Sequence, residues 1–238
     1  MSPSGRTHGA ADRLLIKICG LTDTAAVDAA LDAGADMIGL VFFPPSPRHV
    51  SLDKSAVLAE RARGRAGIVA LTVDADEPTL RDIVRVVQPT MLQFHGHESA
   101  DAVRVARAAH GLPVMKAIGI ANADDLARID PYRDTADHIL LDAKPPKNAT
   151  RPGGNGAAFD WSLLDALDPK MRFMLSGGLD RDSVADAVRR IRPAAIDVSS
   201  GVEAAPGRKD PALIAAFVDA ARAAEQSLPA SAFRRETA

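Results

Sequence analysis

Eight short apolar runs punctuate the chain at nearly even spacing, and each is continuous rather than alternating. They are LLIKIC (14–19), MIGLVFF (37–43), IVALTV (68–73), MLQFHG (91–96), PVMKAIGI (113–120), HILLDA (138–143), RFMLSGG (172–178) and AIDVSSG (195–201). A strand with one wet face alternates apolar and polar residues, whereas a strand covered by helices on its outer face and core on its inner face does not. The runs therefore predict buried parallel strands. Between them the apolar spacing turns helical. Leu80, Ile83, Val84 and Val87 recur at i, i+3, i+4 and i+7, as do Val184, Ala187, Val188 and Ile191, and Leu213, Ile214, Phe217, Val218 and Ala221 form a third face. Thr22 is the expected cap of the first helix and Gly34 its expected stop.

Over residues 13–226 the repeat averages about 27 residues per strand–helix unit, which predicts a single-domain α/β protein, a compact (β/α)8 TIM barrel. An open doubly wound sheet is the competing arrangement, because local pattern does not distinguish closed strands from open ones. No GxGxxG follows the first run, which weighs against the dinucleotide-binding form of that alternative. Residues 1–12 and 227–238 read as disordered tails outside the barrel. The longest irregular stretch, AKPPKNATRPGGNGAAF (143–159), is too polar and too rich in Pro and Gly for core and suits a loop over a functional site.

Composition narrows the partners. The chain is 47% apolar and 25% charged with a formal net charge of −2, so neither nucleic acid nor a membrane surface is an expected partner. No apolar run approaches the roughly 18 residues of a membrane span. A single cysteine in 238 residues excludes an intrachain disulfide and a cysteine-based metal site, and a reducing cytoplasmic setting is the expectation.

In a barrel of this type the site lies at the C-terminal ends of the strands. Those ends carry Cys19, Gln93 with His95, Lys116, Asp142, Ser176 with Gly177 and Gly178, and Ser199 with Ser200 and Gly201. SGGLD (176–180) and SSGVE (199–203) follow the last two strands, where backbone amides of glycine turns approach phosphate closely. That pair points to a small phosphorylated substrate. Asp142 reads either as a catalytic acid or base or as an ion-pair partner. Cys19 reads either as a small core residue or as a proton acceptor, with Lys17 two residues earlier on the same side. Arg48 in PPSPRHV is either a solvated loop charge or a bidentate fork for a substrate carboxylate. His95 and His97 have no third ligand at suitable spacing, so no metal is expected and a structural or substrate-bonding His95 is favoured.

Taken in order, KICGLT (17–22), GLVFFPPSPRHV (39–50), LQFHG (92–96), LLDAK (140–144), GGNGAAFDW (153–161), LSGGL (175–179), DVSSGVE (197–203) and PGRKD (206–210) resemble the phosphoribosylanthranilate isomerase family of tryptophan biosynthesis. The resemblance implies an Amadori rearrangement without metal or organic cofactor. It assigns the general base to Cys19, the general acid to Asp142, the anthranilate carboxylate to Arg48, and the phosphate to Gly177, Gly178, Ser200 and Gly201. Gln93 and His95, at the end of the fourth run, are further candidate substrate contacts. The piece GGNG carries Asn155 where GGTG is more usual. A monomer or a homodimer is expected. Two other readings stand beside it. One is a histidine-pathway isomerase barrel, which uses a carboxylate where this chain has Cys19; the other is a non-catalytic barrel that binds phosphorylated ligands.

Overall fold

The computed structural model describes residues 13–144, 153 and 159–229. Eight parallel strands close into a barrel in sequence order: β1 (Leu15–Cys19), β2 (Met37–Phe42), β3 (Gly67–Thr72), β4 (Met91–Phe94), β5 (Val114–Ile120), β6 (His138–Ala143), β7 (Met174–Leu175) and β8 (Ala195–Val198). Each coincides with one of the eight apolar runs, β3 starting one residue before its run at Gly67. Closure comes from β1 pairing with β8 in the register Lys17↔Asp197, which rules out the open sheet.

Among the described residues, six α-helices cover the barrel: α1 (Thr24–Asp32), α2 (Leu52–Ala62), α3 (Glu77–Val87), α4 (Ala100–His110), α5 (Val184–Ile191) and α6 (Pro211–Gln226). The predicted apolar faces are the buried ones: Leu80, Ile83 and Val87 of α3, Val184, Ala187 and Val188 of α5, and Ile214, Phe217, Val218 and Ala221 of α6. Burying a side chain of that size stabilises the fold by about 1.5–3 kcal/mol.

Three local readings are corrected. Asp23, not Thr22, caps α1 by accepting from Ala26 N, while Thr22 Oγ1 donates to Gly207 O 2.9 Å away. Among the described residues, the connections after β5 and β6 contain 3-10 segments, Ala123–Tyr132 and Trp161–Ala166, in place of α-helices. Pro131 lacks the amide an α-helical bond would need, and the second segment is only 6 residues long. After β8 the chain forms a hairpin, β9 (Glu203–Ala205) and β10 (Arg208–Lys209), that the apolar pattern did not announce. Both outermost stretches (1–12 and 230–238), residues 145–152, residues 154–158 and hence Asn155 lie outside the described residues. Gly34 stands just past α1 with φ +86°, as its place as a helix stop requires.

Strand parity divides the interior. Met115, Ala117, Leu140, Met174 and Ala195, packed by Leu15, Met37 and Met91, fill the lower barrel. Cys19, Val41 and Leu71, with Phe43 and Val73, form a separate apolar group at the mouth.

At the opposite end a polar clamp ties the last helix to the first strand. Arg222 donates to Leu14 O at 2.6 Å and pairs with Asp36 at 2.8 Å, Glu225 accepts from Leu14 N at 2.7 Å, and Asp36 also accepts from Ile16 N at 2.9 Å. Arg222→Ala should lower the unfolding free energy by about 1–3 kcal/mol and leave kcat/KM unchanged. An unaltered urea midpoint would remove the clamp from the closure of the barrel.

Candidate active site

The barrel mouth opens into a cavity of about 740 Å³, in the range of small-molecule sites. Its wall on the β1–β3 side is apolar, built from Cys19, Val41, Phe43, Leu71 and Val73. The opposite wall is polar and carries His95, Asp142, Ser176 and Asp197. The division follows from the inward positions of each strand, since alternate residues point into the barrel.

Cys19 ends β1 and is 4% exposed. Gly39 of β2 sits directly across from it in the sheet, and a Cβ there would lie 2.8 Å from Cys19 Sγ. Burial pushes the thiol above its ordinary value, while the Lys17 ammonium and, less strongly, Lys209 draw it down and Asp197 pushes it up. Lys17 is wholly buried and pairs with Asp197 Oδ1 at 2.8 Å, and Asp197 Oδ2 accepts from Ser176 Oγ at 3.1 Å. Burial alone would depress Lys17, but Asp197 and Cys19 more than offset it and hold the ammonium above its usual range. A fixed cation therefore underlies the thiol.

Asp142 of β6 is 5% exposed across the cavity. One oxygen accepts from Ala143 N at 2.8 Å, and the other lies 3.2 Å from His95 Nε2. His95 Nδ1 in turn lies 3.3 Å from Gln93 Nε2. With the Gln93 amide donating to Nδ1, the neutral ring carries its proton on Nε2 and aims it at Asp142. Gln93 itself is fully buried and stands behind His95 rather than on the cavity wall. Gly153 approaches both groups so closely that a Cβ there would be 2.7 Å from Asp142 Oδ2 and from His95 Nε2.

The two glycine turns meet at the same mouth. Gly177 and Gly178 have φ of +88° and +66°, and a Cβ on Gly177 would lie 2.5 Å from Ala143 N. Among the described residues, the amides of Gly177, Gly178 and Ser200 donate to no backbone carbonyl. Gly201 is off the cavity wall; it pairs with Asp180, and a Cβ there would collide with Leu179 O. Its smallness brings the two turns together.

Arg48 is 3% exposed and lines the cavity, which overturns its reading as a solvated loop charge. Its Nε and Nη2 donate to Glu203 Oε1 and Oε2 at 2.6 and 2.8 Å. Lys116, by contrast, leaves the rim: it sits between the inward residues Met115 and Ala117, points outward, and bonds Gly96 O at 2.7 Å and Glu98 Oε2 at 2.8 Å. His97 pairs with Asp74 at 3.2 Å on the exposed surface, away from the cavity. Local reasoning passed over Asp197, Glu203 and Lys209, although the first two lie inside DVSSGVE and the third inside PGRKD. A charged residue on an otherwise apolar run, at an inward position, was the available signal for Asp197.

Fold and cavity together define the class, a (β/α)8-barrel enzyme whose strand ends gather the reactive side chains. Residues 16–220 match the family model described as N-(5'-phosphoribosyl)anthranilate (PRA) isomerase. The chain is 56% identical over 213 residues to the N-(5'-phosphoribosyl)anthranilate isomerase of Bradyrhizobium sp. strain ORS 278, covering 90% of this chain and 97% of that one. The phosphoribosyl anthranilate isomerase of Thermotoga maritima superposes with a TM-score of 0.78 at 35% identity, over 88% of this chain and 99% of that one. A second solved phosphoribosyl anthranilate isomerase, in complex with reduced 1-(o-carboxyphenylamino)-1-deoxyribulose 5-phosphate, superposes with a TM-score of 0.76 at 32% identity over 88% and 99%. The chain belongs to the N-(5'-phosphoribosyl)anthranilate isomerase family, the Amadori isomerases of tryptophan biosynthesis.

If Lys17 sustains the thiolate, Lys17→Met should raise the pH at which the single thiol ionises. The 240-nm absorbance of the folded protein, corrected with Cys19→Ala, reads this directly. An unmoved inflection would remove Lys17 from the electrostatics of Cys19.

Proposed function

We propose that the barrel of residues 13–226 isomerises N-(5'-phosphoribosyl)anthranilate with Asp142 as general acid and Cys19 as general base. The observation that carries this assignment is that the one thiol and the carboxylate line opposite walls of one cavity, both nearly excluded from solvent. Asp142 gives its proton to the furanose ring oxygen as the C1'–O bond breaks, and the anthranilate nitrogen lone pair forms the C1'=N bond of a protonated Schiff base. Cys19 as thiolate then removes the C2' proton, and that electron pair forms the C1'=C2' bond of an enolamine and neutralises the nitrogen. Tautomerisation gives the ketone at C2'. His95 Nε2–H bonds the carboxylate that Asp142 becomes, and so favours its first proton transfer.

Anchors at both ends hold the reacting carbons between the two groups. The amides at Gly177, Gly178 and Ser200 suit the phosphate, and Gly201 serves it by packing the turns. The apolar wall of Val41, Phe43, Leu71 and Val73 suits the benzene ring, with Arg48 beside it for the ring carboxylate. The histidine-pathway alternative lacks its strand-1 carboxylate here, because a cysteine occupies that position. The solved relative that holds a carboxyphenylamino sugar phosphate supports a small phosphorylated substrate. Among the described residues no helix is long and apolar enough to cross a membrane. We place the enzyme in the cytoplasm, as a monomer or homodimer; another solved relative, from Thermotoga maritima, is described as a monomer generated from a dimeric enzyme.

Cys19→Ala and Asp142→Asn should each lower kcat by about 10²–10⁴-fold in an assay that follows loss of the substrate's anthranilate fluorescence. Wild-type turnover in both would end the assignment while leaving the family intact. Because burial raises the thiol, the thiolate is the minor form at neutral pH, and kcat/KM should fall as pH drops below neutrality. A flat profile, with chemistry limiting the rate, contradicts this pair of roles.

A further inference from the structure

Glu203 begins the β9–β10 hairpin and its side chain is 5% exposed, yet the proton transfers above make no use of it. Its Oε1 accepts from Arg48 Nε at 2.6 Å and from Lys209 Nζ at 2.9 Å, and its Oε2 accepts from Arg48 Nη2 at 2.8 Å. Lys209 also donates to Ser199 O at 2.8 Å, which fixes the hairpin to the turn after β8. Burial works against the Glu203 carboxylate, but hydrogen bonds and charge from Arg48 and Lys209 outweigh it and hold the group ionised, below its ordinary range.

The contact is a planar fork, two parallel bonds between a guanidinium and a carboxylate, and such a fork sets orientation as well as distance. The rest of the Arg48 side chain is confined too. Its Cδ would lie 2.5 Å from a Cβ placed on Gly20, so the stem is pressed against the loop after β1. The hairpin is tied to that same loop through Thr22 Oγ1 and Gly207 O, 2.9 Å apart, and Gly207 packs against Pro47 O with no room for a Cβ. Loops after β1, β2 and β8 thus converge on one guanidinium. An arginine left free would lose up to about 2 kcal/mol of rotamer entropy on gripping a ligand. Here that ordering is already done.

We propose that Glu203 is the positioning residue for Arg48, holding its guanidinium at the cavity wall in the orientation that receives a substrate carboxylate. The hairpin thereby sets selectivity for a carboxylated aromatic amine, and the loop that carries Arg48 does not set it alone. The inference rests on the carboxylate-binding reading of Arg48 given above, and the test separates the two.

Two reduced product analogues serve as probes, one with the ring carboxylate and one with a plain phenyl ring, measured by calorimetry together with steady-state kinetics. Glu203→Gln should weaken the carboxylated analogue by about tenfold or more and change the plain one by less than about twofold. KM should rise by a larger factor than kcat falls. Arg48→Ala should abolish the same preference, and adding Glu203→Gln to it should cost little more. Equal weakening of both analogues by Glu203→Gln, or no weakening of either, overturns the proposal while Arg48→Ala still reports on Arg48. Retention of the preference in Arg48→Ala overturns the Arg48 reading, and this proposal with it. If Glu203→Gln leaves two buried cations too poorly matched to fold, Glu203→Asp keeps the charge but shortens the reach. The same selective loss is then expected, and unchanged binding of both analogues overturns the proposal.

Discussion

Closing the sheet between β1 and β8 sets Lys17 and Asp197 at the same level, and their ion pair spans the seam at 2.8 Å. Both groups are excluded from water, so each depends on the other: removing one partner of such a buried pair costs about 3–5 kcal/mol. The pair therefore specifies the register of the last strand against the first, since a one-residue slip of either strand would turn its charge out of the barrel into the apolar layer beneath the helices and leave the partner unpaired inside. Ser176 from β7 accepts a place in the same network by donating to Asp197. Three strands are locked at the height where the interior changes from packed apolar side chains to the cavity.

Everything at the mouth is built on that seam. Cys19 stands one inward position beyond Lys17 and gains a cation beneath it without a solvated lysine in the cavity. Across the cavity the support for Asp142 is of another kind, a buried amide and imidazole in series from Gln93 through His95. Cys19 and Asp142 are thus held by separate networks. Separation keeps the cation that draws the thiol down apart from the donors that bond the carboxylate, since neither group needs the same neighbour.

Much of the fold was legible from the chain. All eight strands coincide with continuous apolar runs to within one residue, because burial on both faces leaves no room for alternation. Helices α3, α5 and α6 follow their apolar spacing for the same reason. The connections after β5 and β6 were not legible, since a proline and short length decide there between 3-10 and α-helical bonding. The hairpin β9–β10 was also invisible: its residues have no apolar pattern, and Glu203 and Lys209 within it are tied to Arg48, which lies 155 positions before Glu203.

Sequence by itself determined which residue types stand at the strand ends, and so that a thiol, a carboxylate and two glycine turns share one rim of any parallel barrel made from these runs. It also carried the family's ordered motifs. Tertiary structure decided which way each side chain points and what faces it. Lys116 was drawn outward to Glu98, Gln93 was placed behind His95, and Arg48 was taken from solvent into a fork with a residue 155 positions away. The reason is physical. Parity and apolar burial are local properties repeated along a strand, whereas a buried charge takes its partner from whatever element closure brings within about 3 Å.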